Sequence, residues 1–346
     1  MVLFLLLLGV GAFLAAALLT WFVRRLAIRR EVYDIPTHRS MHRTPVPRGG
    51  GLGIVIVVLA IVAALWAFGI LSAGVGVALL AGGLLVAGVG FIDDLRGLGN
   101  TARLVVWFIA AFIGVVSVGG LPTLDLGFTT IRLGVFGSGL AMVGVVWMIN
   151  LYNFMDGIDG LAASEGVVVA GAAGILLILG GATGIAAVAV VLAGCCAGFL
   201  VWNWPPARIF MGDVSSGFLG FVFAVLAIWT SNNGILELQV WAVLLGVFLI
   251  DATLTMARRM AAGEKWYTAH RSHAYQRAVT AGHSHLSVTL TVIAIDLALV
   301  AAAATMVFVP SARGYVLATT LGGLAVAWIA IVRRWPAAQR PNPIAR

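Results

Sequence analysis

Long apolar runs alternate with short polar stretches along this chain. Eleven runs approach the roughly 20 apolar residues that a bilayer-crossing helix needs. They are Val2–Val23, Gly50–Phe68, Leu71–Phe91, Leu104–Gly119, Gly137–Asn150, Leu161–Leu179, Thr183–Trp202, Gly217–Trp229, Leu236–Ala257, Leu286–Val309 and Tyr315–Val332. Each predicted helix flips the side of the next polar stretch. With eleven of them, all of the 21 Lys and Arg residues except Arg132 and Arg313 fall on one side. A ten- or twelve-helix count scatters these charges. The positive-inside rule then makes the basic side cytoplasmic, with the N-terminus outside and the C-terminus inside. The expected fold is all-α: a polytopic integral membrane protein with one membrane domain over residues 1–346 and a cytoplasmic tail at 336–346.

Composition agrees. The chain is 62% hydrophobic and 10% charged, with a mean hydropathy of +1.08, whereas soluble domains carry about 25% charged residues. A globular domain with one anchor is excluded. The net charge of +8 follows from the topology and calls for no nucleic acid. The start, MVLFLLLLGV, has no basic segment before its apolar run, so no cleavable signal peptide is expected. Cys195 and Cys196 are adjacent in an apolar run and are expected to pack as small hydrophobes.

The chemistry gathers on the basic side. All six histidines (His38, His42, His270, His273, His283 and His285) are there, as are Asp93, Asp94, Asp156, Asp159 and Asp213. A transporter would be expected to place ionisable groups near the bilayer midplane. The exceptions are Asp251 and Asp296, inside predicted helices, where a helix–helix hydrogen bond is the default reading.

The central stretch is NLYNFMDGIDGL, Asn150 to Leu161. Asn150, Asn153, Asp156 and Asp159 recur every third residue, but an α-helix turns every 3.6. A continuous helix cannot aim all four at one ligand. Gly157 and Gly160 offer a break, giving either a loop of oxygen ligands for a hard cation and its phosphates or a polar loop with a glycine cap. In FIDDLRGLGNTARL, the neighbouring Asp93 and Asp94 repel one another, which suits a cation or a shared proton; two solvated charges near Arg96 are the other reading. In NWPPARIFMGDVSSG, Asp213 either holds a metal or caps the next helix. Arg48 stands beside Gly49–Gly51, whose amides could meet an anion; a positive-inside arginine before a glycine-rich helix start is the other reading. On a helix, His270, His273, Ala274 and Arg277 would share a face suited to phosphate or sugar hydroxyls; a basic segment on anionic lipid is the other reading.

In this order, IDD, NLYNFMDGIDGL and RIFMGDVSSG resemble the polyprenyl-phosphate N-acetylhexosamine-1-phosphate transferases, a glycosyltransferase family 4 type of membrane enzyme. HRSHAYQR looks like the bacterial branch that initiates O-antigen or capsule glycans. The alternative within the superfamily is the phospho-MurNAc-pentapeptide translocase; outside it, an ion-coupled sugar or lipid transporter. The resemblance implies transfer of a sugar 1-phosphate from a UDP-N-acetylhexosamine to undecaprenyl phosphate, in the bacterial cytoplasmic membrane, at a site facing the cytoplasm. It implies Mg²⁺, with Mn²⁺ as a substitute, on Asn153 and Asp213, and a catalytic set of Asp93, Asp94, Asp156 and Asp159. It leaves Arg48, Asn150, His270, Arg271, His273 and Arg277 for substrate binding. Membrane lipids surround the chain, and a homodimer is left open.

Overall fold

The computed structural model describes residues 1–36, 40–42, 44–125, 129–264 and 270–336. His38, Arg39, Arg43, Lys265, Arg340 and Arg346 lie outside them, as does the predicted tail beyond Pro336. All eleven predicted stretches are helical. In order they are α1 (Val2–Arg29), α2 (Leu52–Ala67), α3 (Ala73–Val77) running through a π-helical turn, Ala78–Gly82, into α4 (Gly83–Arg96), α5 (Asn100–Ser117), α6 (Gly134–Met155), α7 (Leu161–Leu179), α8 (Thr183–Asn203), α9 (Asp213–Asn232), α10 (Leu238–Leu244) with α11 (Gly246–Ala261), α13 (His285–Phe308) and α14 (Arg313–Arg334). A short helix, α12 (Ala274–Thr280), precedes α13. Two hairpins complete the described residues: β1 (Tyr33–Asp34) with β2 (Val46–Pro47), and β3 (Thr123–Asp125) with β4 (Thr130–Arg132), both antiparallel. Among the described residues nine helical segments are long and apolar enough to cross a bilayer. The chain is a multi-pass membrane protein.

Two expected spans differ in form. Leu236–Ala257 is not one straight helix but α10 and α11, bent by 84°. The bend falls at Leu245, before Gly246, where a side chain would press on Leu324 and Leu299. The second expected span is α2, only 16 residues long, because the glycine run before it is used as loop.

α9 is the axis of the bundle. Its apolar window is 89% buried, against 6% for the last segment and 17% for α1, so α9 is lined by protein while α1 and α14 present their sides to lipid. α4 and α6 flank α9, and α1 lies along α8, which packs on α7. α1 and α8 approach closely because Gly194 and Gly198 face the backbone of Gly9 and Phe13, where any Cβ would collide with a carbonyl. Such small residues four apart are how membrane helices gain dispersion contact without a hydrophobic driving force. Cys195 and Cys196 are free and buried in the same helix.

Candidate active site

The polar ends of the helices meet in one cavity of about 790 Å³. The loop before α2 forms one wall. Its backbone is lashed to the loop before α9: Phe210 N donates to Pro47 O (2.9 Å), Gly50 N to Phe210 O (2.9 Å) and Gly51 N to Met211 O (3.0 Å). The glycine amides that could have met an anion are therefore occupied by protein; at Gly50 and Gly51 that expectation is corrected. What the lashing delivers is Arg48. Its Nη2 lies 2.7 Å from Asp94 Oδ1 and 2.8 Å from Asp213 Oδ1.

A second arginine mirrors the first. Arg103 Nη1 lies 2.6 Å from Asp93 Oδ2 and 2.9 Å from Asp213 Oδ2. Asp93 also accepts from Leu98 N at 2.5 Å, which closes the turn between α4 and α5. Three carboxylates and two guanidiniums thus alternate around Asp213. Charge-assisted pairs of this kind are short and directional, and each member depends on its neighbours because an unpaired charge here would be costly.

Asp213 is the first residue of α9 and does not cap it. The cap is Asp94, which accepts from Asp213 N (2.9 Å) and Val214 N (3.1 Å). A carboxylate at a helix N-terminus satisfies free amides and matches the positive end of the helix dipole.

The central stretch breaks where its glycines stand. α6 runs to Met155, and Gly160 adopts φ +76° before α7 begins. Gly157 has an ordinary φ; its missing side chain makes room for the Tyr275 hydroxyl, which donates to Phe154 O at 2.8 Å. Asn153 donates through Nδ2 to Ser216 Oγ at 3.1 Å, leaving its Oδ1 as an acceptor beside the cavity it lines. Asp156 also lines the cavity. Burial pushes its carboxyl well above the usual range, with Asp213 adding to the effect and Arg48 opposing it. Asp159 ties the loop down. Its Oδ2 accepts from Ala207 N (3.1 Å), its Oδ1 faces His285 Nδ1 (3.2 Å), and its carbonyl accepts from Thr289 Oγ1 (2.9 Å).

Asn203, which no motif in the sequence marks, is the pin of this arrangement. It is buried at the end of α8, accepts from Gly160 N (2.9 Å) and donates to Ile209 O (2.9 Å). Both partners lose their bond in Asn203→Ala, and each buried group left unpaired costs about 1–3 kcal/mol. Thermal unfolding of the purified variant should show a marked loss of stability; an unchanged midpoint would sink the assignment.

The histidine stretch is placed differently from the expectation. His270 and His273 line the cavity with ring centroids 5.0 Å apart, but the helix begins only at Ala274, so no common helical face with Arg277 exists. Arg277 points away, donating to Ser272 O, Val332 O and Trp335 O, where it caps the end of α14. Arg271 donates to Ser40 O. Asn150 donates back to Val146 O at 2.9 Å and is not among the cavity-lining residues. Burial, helped by His273, Arg259 and Arg258, holds the His270 imidazole down at about 3, so at neutral pH it offers hydrogen bonds and no charge.

The two aspartates within spans also find their places. Asp251 binds helix to helix, as the default reading had it, through Thr255, Trp328 and the start of α12. Asp296 faces Glu165 of α7, and both are buried.

A many-helix membrane bundle with an acid- and arginine-rich cavity built from its helix ends is thus the class of protein. Comparison with known sequences narrows it. Residues 76–231 match the model of glycosyl transferase family 4. The chain is 32% identical to a decaprenyl-phosphate N-acetylglucosaminephosphotransferase of Mycobacterium leprae (strain TN), over 92% of this chain and 88% of that one. It is 32% identical to the protein of the same name from Mycolicibacterium smegmatis, over 95% and 90%. A phospho-N-acetylmuramoyl-pentapeptide-transferase of Streptococcus thermophilus (strain CNRZ 1066) is 29% identical over 64% and 70%. The chain belongs to glycosyl transferase family 4, within the superfamily of polyprenyl-phosphate hexosamine-1-phosphate transferases.

Proposed function

We propose that this protein transfers an N-acetylhexosamine 1-phosphate from a UDP-sugar to a polyprenyl phosphate, undecaprenyl phosphate, releasing UMP. An oxygen of the lipid phosphate attacks the β-phosphorus of the donor. The bond from that phosphorus to the bridging oxygen of UMP breaks, so one phosphoanhydride replaces another. The lipid-linked pyrophosphoryl sugar would start O-antigen or another cell-surface glycan. The single observation that carries this reading is the convergence on one cavity of Asp93, Asn153, Asp156, Asp159 and Asp213 with Arg48 and Arg103. Such a reaction needs positioning and charge neutralisation more than covalent help.

The two arginines are poised to exchange a carboxylate for a phosphate, since both anions suit the guanidinium fork. His270, neutral, would hydrogen-bond the sugar. Asp159 and Asn203 would hold the loop that shapes the nucleotide end, and Asp94 would fix Asp213 from behind.

The donor chemistry also fits a magnesium ion. Asn153 and Asp213 offer oxygen, and Mg²⁺ commonly takes one or two protein ligands and completes its shell with water and substrate phosphate. Among the described residues no cluster of three His, Cys, Asp or Glu side chains stands ready for a metal, which suits an ion shared with substrate. When bound, the ion would offset the negative charge of the pyrophosphate. Chelation with EDTA should abolish turnover and added Mg²⁺ or Mn²⁺ should restore it; full activity after exhaustive chelation would remove the metal from the scheme.

We place the cavity on the cytoplasmic side, with the N-terminus outside, because the basic residues favour it and a nucleotide sugar is met there. The direct test of the function is UMP release from a panel of UDP-N-acetylhexosamines by the purified protein with undecaprenyl phosphate, with mass readout of the lipid. No UMP from any donor, together with sugar uptake into proteoliposomes, would favour a transporter instead.

A further inference from the structure

Behind the histidine pair, and outside the cavity, sits Asp251 of α11. It is 5% exposed, and among the described residues no Lys or Arg forms an ion pair with it. Its Oδ1 accepts from Ala274 N (2.8 Å), Thr255 Oγ1 (3.1 Å) and Trp328 Nε1 (3.1 Å), and its Oδ2 from Tyr275 N (3.4 Å). Donors from α11, α12 and α14 therefore converge on one carboxylate. The remaining neighbour is His273, whose Nδ1 lies 3.5 Å from Oδ1. That nitrogen is buried and makes no hydrogen bond among the described residues; the ring also faces the backbone N–H of Gln276 in the first turn of α12.

The two sides of the His273 ring have different surroundings. One edge faces Asp251, and the residue lines the cavity. The ring also stacks on Tyr275 (5.8 Å, 19° between planes) and lies against His270 (5.0 Å) and Phe154 (6.1 Å). A carboxylate beside one imidazole nitrogen selects the tautomer that carries the proton there and leaves the other nitrogen as an acceptor.

We propose that Asp251 is a positioning residue for the site: its carboxylate fixes the ring and tautomer of His273, and through the His273–His270 contact it holds both imidazoles against the cavity. Nδ1 of His273 carries the proton toward Asp251. Nε2, on the opposite ring edge, serves the substrate as an acceptor. An asparagine in place of Asp251 keeps the shape but loses the charge: its amide oxygen stays with the three donors at the Oδ1 position, its NH₂ is set against Tyr275 N, and the hold on His273 Nδ1 weakens. The consequence for turnover rests on the transferase reading; the consequence for the ring does not.

The test uses the full chain in lipid nanodiscs with ¹⁵N-labelled histidine, His273→Gln identifying the His273 resonances. Asp251→Asn should move the His273 ring nitrogens and lower kcat about 10–100-fold, with UMP affinity unchanged. Asp251→Glu should recover part of kcat. Trp328→Phe removes a different donor from the same carboxylate and should leave the His273 resonances and kcat in place. Unmoved His273 signals in Asp251→Asn, or equal losses in Trp328→Phe, overturn the proposal. If Asp251→Asn does not fold, the other two variants decide: His273 displaced in Asp251→Glu alone supports it, and identical spectra in both reject it. A wild-type protein that turns over no UDP-N-acetylhexosamine, yet whose His273 signals respond to Asp251→Asn, refutes the transferase reading and leaves the positioning role standing.

Discussion

Asp213→Ala should lower UMP release by about 10²–10³-fold, the usual loss when one preorganised electrostatic group is removed from a reacting centre. The protein should remain folded in the membrane. The geometry separates these two outcomes. Asp213 receives Arg48 on one oxygen and Arg103 on the other, so its loss opens the centre of the charge network. Yet Arg48 keeps Asp94 and Arg103 keeps Asp93, so neither guanidinium is stranded. The start of α9 keeps its cap as well, because Asp94 bonds to backbone amides and not to the Asp213 side chain. Asp213→Asn retains one acceptor oxygen and should lose less. The measurement is the steady-state rate beside membrane yield and thermal midpoint. A rate within about threefold of wild type, against the expected loss of 10²–10³, would remove Asp213 from the chemistry.

That network shows how far the sequence could be read. The eleven apolar runs and the carboxylate motifs depend on local composition: the runs became helices, one of them bent and one short, and the motifs met in a shared cavity. The pairings do not depend on it. Asp94 caps a helix that starts 119 residues later, and nothing in the IDD motif names Gly212–Val214 as its target. Arg103 read as one more cytoplasmic charge. Its place in the site follows only from α5 starting at Asn100, which sets Arg103 in the first turn beside Asp93. There it opposes the helix dipole and is held by carboxylates. Arg277 and Asn150 err the other way. Their spacing placed them among substrate groups, but a helix beginning at Ala274 and a bond back to Val146 O turn them elsewhere. Asn203, an uncharged residue before two prolines, carried no chemical signal; its role comes from a loop 43 residues earlier.

Gly90→Ala carries the other large effect, although it removes no functional group. Gly90 stands one turn before Asp94 on the face of α4 that meets α9. A Cβ there would come within 2.6 Å of Asp213 C and 2.7 Å of Val214 N, closer than any real contact, and backbone cannot rotate aside as a side chain can. α4 and the start of α9 must therefore separate. The same separation lengthens both hydrogen bonds that the α9 amides donate to Asp94 and pulls Asp94 from Arg48. Overpacking of this kind costs about 1–3 kcal/mol, and the displaced cap should carry turnover down by about 10² as well, since misplacement of reacting groups by about 1 Å has that effect. Gly88 provides the control within the same helix. A Cβ at Gly88 meets nothing within 4 Å, so Gly88→Ala should keep wild-type turnover and gain a little stability from helix propensity, up to about 1 kcal/mol. Thermal unfolding and UMP release for the pair decide the matter. If Gly90→Ala behaves like Gly88→Ala, the contact between α4 and the first residues of α9 is not what holds Asp94 and Asp213 together.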